Sequence, residues 1–93
     1  MNKLKLKIAR NQIDRIDHNI FKLIKKRTEI VKYMLKLKVF KKQIVDHQRI
    51  REVLKKIRIR SIQSQVDPRV TNRIWKSMIW SYVDYQKMKF RKK

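Results

Sequence analysis

Arg10, Arg27 and Lys38 fall on a helical stripe whose other members are mostly apolar, and cations on such a face call for an anion. The stripe runs Arg10, Ile13, Asp17, Ile20, Ile24, Arg27, Val31, Met34, Lys38 in alternating steps of three and four. That spacing keeps all of these side chains on one face of one long helix. A buried cation is costly unless something negative meets it. Asp17 is the only acid on the stripe, so the missing negative charge is assigned to a ligand. Guanidinium groups bind carboxylates through two parallel hydrogen bonds, which suits a small acidic molecule.

Distance along the helix limits what one copy of the stripe can do. Arg27 and Lys38 are about 16 Å apart on an α-helix, close enough for two long side chains to converge on one ligand. Arg10 lies about 25 Å from Arg27 by the same rise and cannot reach that ligand. An antiparallel second copy of the helix would lay its own Arg10 there. A chain of 93 residues would also struggle to bury a large core as a monomer. A homodimer with shared sites answers both points.

The elements that must position these residues are helices. There is no Gly and one Pro, so turns needing positive φ are scarce and long helices are favoured. Periodicity predicts an all-α chain of three helices in one domain spanning 1–93, at about 5–38, 46–62 and 68–90. The alternation Leu4-Lys5-Leu6-Lys7-Ile8 is read as the start of the first helix. A connection over Val39 to Ile44 follows, and Asp46 is a suitable N-cap for the second helix. That helix carries Ile50, Val53, Leu54 and Ile57, then fades into the polar stretch before Gln65. Asp67-Pro68 is a strong start signal, an N-cap acid followed by proline at the first helical position. Val70, Ile74, Trp75, Met78, Ile79, Tyr82, Val83 and Tyr85 form the apolar stripe of the third.

Composition removes several chemistries. With no Cys, disulfides, thiolate nucleophiles and cysteine metal sites are excluded together. His18 and His47 lie far apart without ligand spacing, so no metal and no cofactor is expected. The basic segment Met1 to Arg10 lacks the apolar run of a signal peptide, and no stretch reaches transmembrane length. A soluble cytoplasmic protein is the expectation. The net charge of +21 suits nucleic acid or an anionic membrane surface. Its clusters, Lys25-Lys26, Lys41-Lys42, Lys55-Lys56 and Arg91-Lys92-Lys93, are scattered and carry no groove-reading motif. The reading preferred here is a solvated basic surface, with neither nucleic acid nor membrane as partner.

The run Arg10-Asn11-Gln12-Ile13-Asp14-Arg15-Ile16-Asp17, then Lys26-Arg27, Lys38, Asp46, Arg49 and finally Tyr82-Val83-Asp84-Tyr85-Gln86, resembles the all-helical AroQ class of chorismate mutases. The resemblance covers nearly the whole chain, and its strength lies in the joint order and spacing of short motifs. It implies an intertwined homodimer of three-helix chains whose two active sites draw on both protomers. By position, Arg10 would reach a substrate carboxylate from the partner and Arg27 would grip the other carboxylate. Lys38 and Gln86 would donate to the ether oxygen. Arg49 would help hold a carboxylate, and Asp46 would sit near the ring hydroxyl.

Such a reaction fits these residue types. Chorismate is a dianionic enol ether, and its pericyclic rearrangement to prephenate needs no nucleophile, metal or cofactor. Fixing both carboxylates selects the compact reactive conformer. Donors aimed at the ether oxygen meet charge that grows as the C–O bond breaks. Ile50 departs from the family pattern, which has Glu or Gln there against the ring hydroxyl. The isochorismate-pyruvate lyase branch, which makes salicylate, tends to be apolar at that position and has a similar Tyr-x-x-x-Gln, matching Tyr82 and Gln86. The lyase therefore stands as the alternative to the mutase. Taken singly, each residue has a plainer role: Arg27 in an ion pair with Asp17 or Glu29, Lys38 at a helix C-terminus, Arg10 and Arg49 as surface charge, Gln86 as a polar interruption. A basic helical binding protein and a catalytically decayed dimer are the rivals from other classes.

Overall fold

In the computed structural model, which describes residues 2–91, the described chain is helical throughout apart from its connections, with no strand. Lys92 and Lys93 of the terminal basic cluster lie outside the described residues. Two compact units divide the chain at residues 32 and 33. Helix α1 is Lys3–Leu37, α2 is His47–Gln63 and α3 is Pro68–Lys89, with a 3₁₀ turn at Lys41–Gln43.

The first unit is the body of α1. Asn2 sets its start, for its Oδ1 accepts the Lys5 N–H at 2.9 Å and its carbonyl accepts the Leu6 N–H at 3.1 Å. This side-chain cap satisfies an orphan donor of the first turn and starts the helix at Lys3, ahead of the expected residue 5. The alternating segment Leu4–Ile8 is helix. The apolar stripe is largely open, with Ile13, Ile20 and Ile24 exposed at 55%, 47% and 40% and Val31 buried. A second feature emerges beside it. Ile13, Ile16, Ile20, Leu23, Arg27, Ile30, Met34 and Leu37 repeat in strict three-four steps, the a and d positions of a heptad. Each of the apolar ones is exposed, and Arg27 occupies one of the a positions.

The second unit contains the last turn of α1, the 3₁₀ turn, α2 and α3. Asp46 caps α2, its Oδ1 accepting the Arg49 N–H at 3.0 Å. At the other end, the Val66 N–H reaches the Ser61 carbonyl at 2.9 Å and the Gln65 N–H reaches Ile62 at 3.3 Å. This pair of bonds is a Schellman motif, and it puts Gln65 at φ 58°, a conformation usually given to glycine. Asp67 then caps α3, accepting the Arg69 N–H at 2.9 Å, with Pro68 inside the first turn.

Helices α2 and α3 pack against each other as an antiparallel hairpin. Ile79, Val83 and Gln86, at helical spacing on α3, are buried, and Ile44 in the preceding connection is buried with them at 5% exposure. Ile50, Val53, Leu54 and Ile57 of α2 are half-buried. Two members of the expected α3 stripe are not core. Val70 and Ile74 stand exposed, because the inward face near the hairpin turn is used by a polar contact instead. Ser61 is buried there, its Oγ 2.6 Å from the Ile57 carbonyl and 2.7 Å from Thr71 Oγ1. No described helix is long and apolar enough to cross a membrane.

Candidate functional site

Within the second unit one polar cluster stands out. Lys38 is the first residue beyond α1, not its last helical residue, and its side chain turns towards α3 instead of running out to solvent. Its Nζ donates to Gln86 Oε1 at 2.6 Å. Gln86 is itself buried, at 7% exposure, and donates from Nε2 to the Tyr82 carbonyl one turn earlier at 3.2 Å. That second bond fixes which end of the amide faces Lys38. An amide nitrogen carries two donors, so Gln86 can offer one N–H elsewhere while its oxygen holds the lysine.

Burial pushes the Lys38 ammonium below its ordinary value of 10.5, and the negative charge of Asp46 offsets part of that fall. Asp46 therefore has two tasks in this geometry. One oxygen caps α2, and its charge steadies the ammonium. Arg49 is exposed on the first turn of α2, its N–H committed to that cap. Ile50 is half-buried beside it, with its N–H on the Asp46 carbonyl at 3.0 Å. Tyr82 is half-buried one turn before Gln86. Lys38, Asp46, Tyr82 and Gln86 are thus linked, whereas the Arg49 side chain stands at the surface.

Arg10 and Arg27 belong to the first unit. Arg10 is exposed and Arg27 half-buried, and the helical rise between them is about 25 Å, so they cannot meet on one copy of α1. Glu29, one partner expected for Arg27, lies 3.5 Å from Lys32.

Two arrangements contribute order that the sequence reading missed. Gln43 Oε1 accepts the N–H groups of both Val39 and Phe40, at 2.8 and 2.7 Å, directly after Lys38. The signal was present as a Gln three residues after the turn's first residue, the second half of a capping box. Phe40 at the N-cap, in place of Ser or Thr, obscured it. His47 and Trp80 also face each other with ring centroids 6.4 Å apart. Surface hollows lined by Ser61, Thr71 and Trp75, and by Lys55, Arg58 and Arg69, flank the opposite end of the α2–α3 hairpin from Lys38.

Taken together, the cluster presents an ammonium and an amide in one polar, half-sheltered place, with a carboxylate behind them. Such a set can hold an ether or carboxylate oxygen and stabilise charge growing on it. Residues 9–87 match the family model for chorismate mutase type II. This chain belongs to the chorismate mutase type II family. No individual curated protein and no solved structure matches it. The matched span of the chorismate mutase family takes in every site residue named above, from Arg10 to Gln86. It leaves outside only the basic start of α1 and the residues after Lys87.

Proposed function

We propose that the protein is a chorismate mutase, an isomerase that converts chorismate to prephenate. The observation that carries this reading is the Lys38–Gln86 pair, a cation hydrogen-bonded to a buried amide within the span matched by the family. In the rearrangement the enol-ether C–O bond breaks as a C–C bond forms, with no proton gained or lost. Negative charge gathers on the ether oxygen, and Lys38 with the second N–H of Gln86 are the donors aimed at it. Because these donors act more strongly on the transition state than on the substrate, they accelerate the step instead of merely tightening binding.

Arg27 and Arg49 hold the substrate carboxylates, with Arg10 supplied by the partner subunit, and Asp46 lies near the ring hydroxyl. Residues 1–93 act as one catalytic domain in an intertwined, cytoplasmic homodimer. Support for the dimer comes from α1, whose exposed heptad of Ile13, Ile16, Ile20, Leu23, Ile30, Met34 and Leu37 exceeds what a monomer leaves open to water. Arg27 lies within that seam, at one of its a positions. No cofactor enters this reaction.

A second reading rests on Ile50. An apolar side chain on the first turn of α2 cannot contact a ring hydroxyl, and isochorismate carries its hydroxyl at another carbon. An isochorismate-pyruvate lyase, releasing pyruvate and leaving salicylate, is therefore the alternative. Assaying the pure protein with chorismate and isochorismate in parallel separates the two. Prephenate from chorismate supports the mutase, and salicylate with pyruvate from isochorismate supports the lyase. Silence on both substrates overturns the enzymatic reading. Arg27→Ala is expected to abolish turnover while leaving the oligomer intact, and retained turnover would remove Arg27 from the site.

A further inference from the structure

Lys38 lies outside any helix, so its direction depends on the backbone that follows it. The Lys38 N–H bonds the Leu35 carbonyl at 3.2 Å, the last hydrogen bond of the α1 end. The next two N–H groups, of Val39 and Phe40, converge on the single oxygen Gln43 Oε1 at 2.8 and 2.7 Å. The backbone closes behind them, with the Gln43 N–H on Phe40 at 3.0 Å and the Ile44 N–H on Lys41 at 3.1 Å. Ile44, buried at 5% exposure, anchors this turn to the core. The chain from Lys38 to the core therefore runs through one side-chain acceptor.

We propose that Gln43 is a positioning residue, whose side-chain oxygen fixes the backbone after Lys38 and so holds the ammonium against Gln86. The proposal rests on the catalytic role assigned to Lys38 above, and one reading of it is independent of turnover. Without the acceptor, two adjacent N–H groups turn to water and the 38–40 backbone gains freedom. The lysine then leaves Gln86 for part of the time. The requirement is for an oxygen that accepts twice, not for an amide, because the Gln43 nitrogen takes no part in these bonds. A carboxylate meets it equally well.

The test compares Gln43→Ala and Gln43→Glu with the wild-type protein. The wild-type assay with chorismate decides the function by itself. If it is active, Gln43→Ala is expected to lower kcat between about tenfold and a hundredfold, the cost of a misplaced catalytic group. KM should move little and the helical circular dichroism should be unchanged, while Gln43→Glu recovers most of the rate. A purely structural turn would lower the melting temperature and leave kcat within twofold, and that result would overturn the proposal. If the wild type is inactive, the Gln86 side-chain amide resonances still report its bond to Lys38. They should move in Gln43→Ala towards their positions in Lys38→Met, and stay near wild type in Gln43→Glu. Unmoved resonances in Gln43→Ala would overturn the proposal whatever the enzyme does.

Discussion

At the scale of single residues, the site turns on one ammonium kept charged in a partly dry place. Burial lowers the Lys38 pKa from 10.5 and Asp46 opposes the fall. The folded protein thus holds this proton less tightly than the unfolded chain. Charge on Lys38 is a cost to stability below the lowered pKa, and the cost is relieved as pH rises towards 10.5. In the proposed reaction activity runs the other way, since only the protonated lysine carries the charge assigned to the ether oxygen. The pH profile of kcat/KM should fall on its alkaline side at a pKa below 10.5, and Asp46→Asn should move that limb lower still. A limb indifferent to Asp46 would remove the carboxylate from the electrostatics of the site. Lys38→Met should lower kcat by about 10²- to 10³-fold, the effect of deleting one oriented donor. Steady-state kinetics of that variant check it.

At the scale of elements, the helix ends carry most of the local specification. Asn2, Asp46 and Asp67 each accept a first-turn N–H, and the second and third of these caps are readable from the sequence as an acid before a helical run. The end of α2 is readable from its fading apolar stripe, but the geometry of its cap is not, because the left-handed residue is Gln65 where a glycine signal would be looked for. Gln65→Gly should stabilise the protein by about 0.5 kcal/mol. Relief of the left-handed backbone, about 1–2 kcal/mol, outweighs the added freedom of the unfolded chain, about 0.4–1 kcal/mol. Urea denaturation reads the difference as a raised midpoint. Ser61→Ala should lower stability by about 1 kcal/mol and the midpoint with it, since it leaves Thr71 without its buried partner. An unchanged midpoint would show that the Ser61–Thr71 bond contributes nothing net.

At the scale of the whole molecule, α1 leaves an apolar heptad exposed along its length. The heptad through Ile20 and Leu23 predicts association through this helix. In the proposed dimer, Leu23→Glu should give a monomer in sedimentation, and with it abolish turnover by separating Arg10 from the site proposed for it. A fully active Leu23→Glu monomer would exclude shared sites. The charge of +21 acts at longer range. It should attract a dianionic substrate, so KM is expected to rise with ionic strength while kcat stays level.

Much of this was legible in the chain itself. The absence of Gly, the three-four periodicity and the Asp67-Pro68 signal dictated three helices, because helix periodicity and capping are local properties. The joint order and spacing of Arg10, Arg27, Lys38, Asp46 and Gln86 carried the resemblance to the family whose model matches residues 9–87. Tertiary structure decided the rest. Only packing of α3 against the 38–44 connection could pair Lys38 with Gln86, and only the fold shows the amide oxygen facing the lysine. Val70 and Ile74 read as core by period yet lie at the surface, because α3 meets α2 there through Thr71 and its bond to Ser61, a polar contact that periodicity does not reveal. Gln43 left only half a signal, a Gln at the third position of a capping box with Phe40 in place of Ser or Thr, and its second acceptance, from Val39, exists only once the turn has folded.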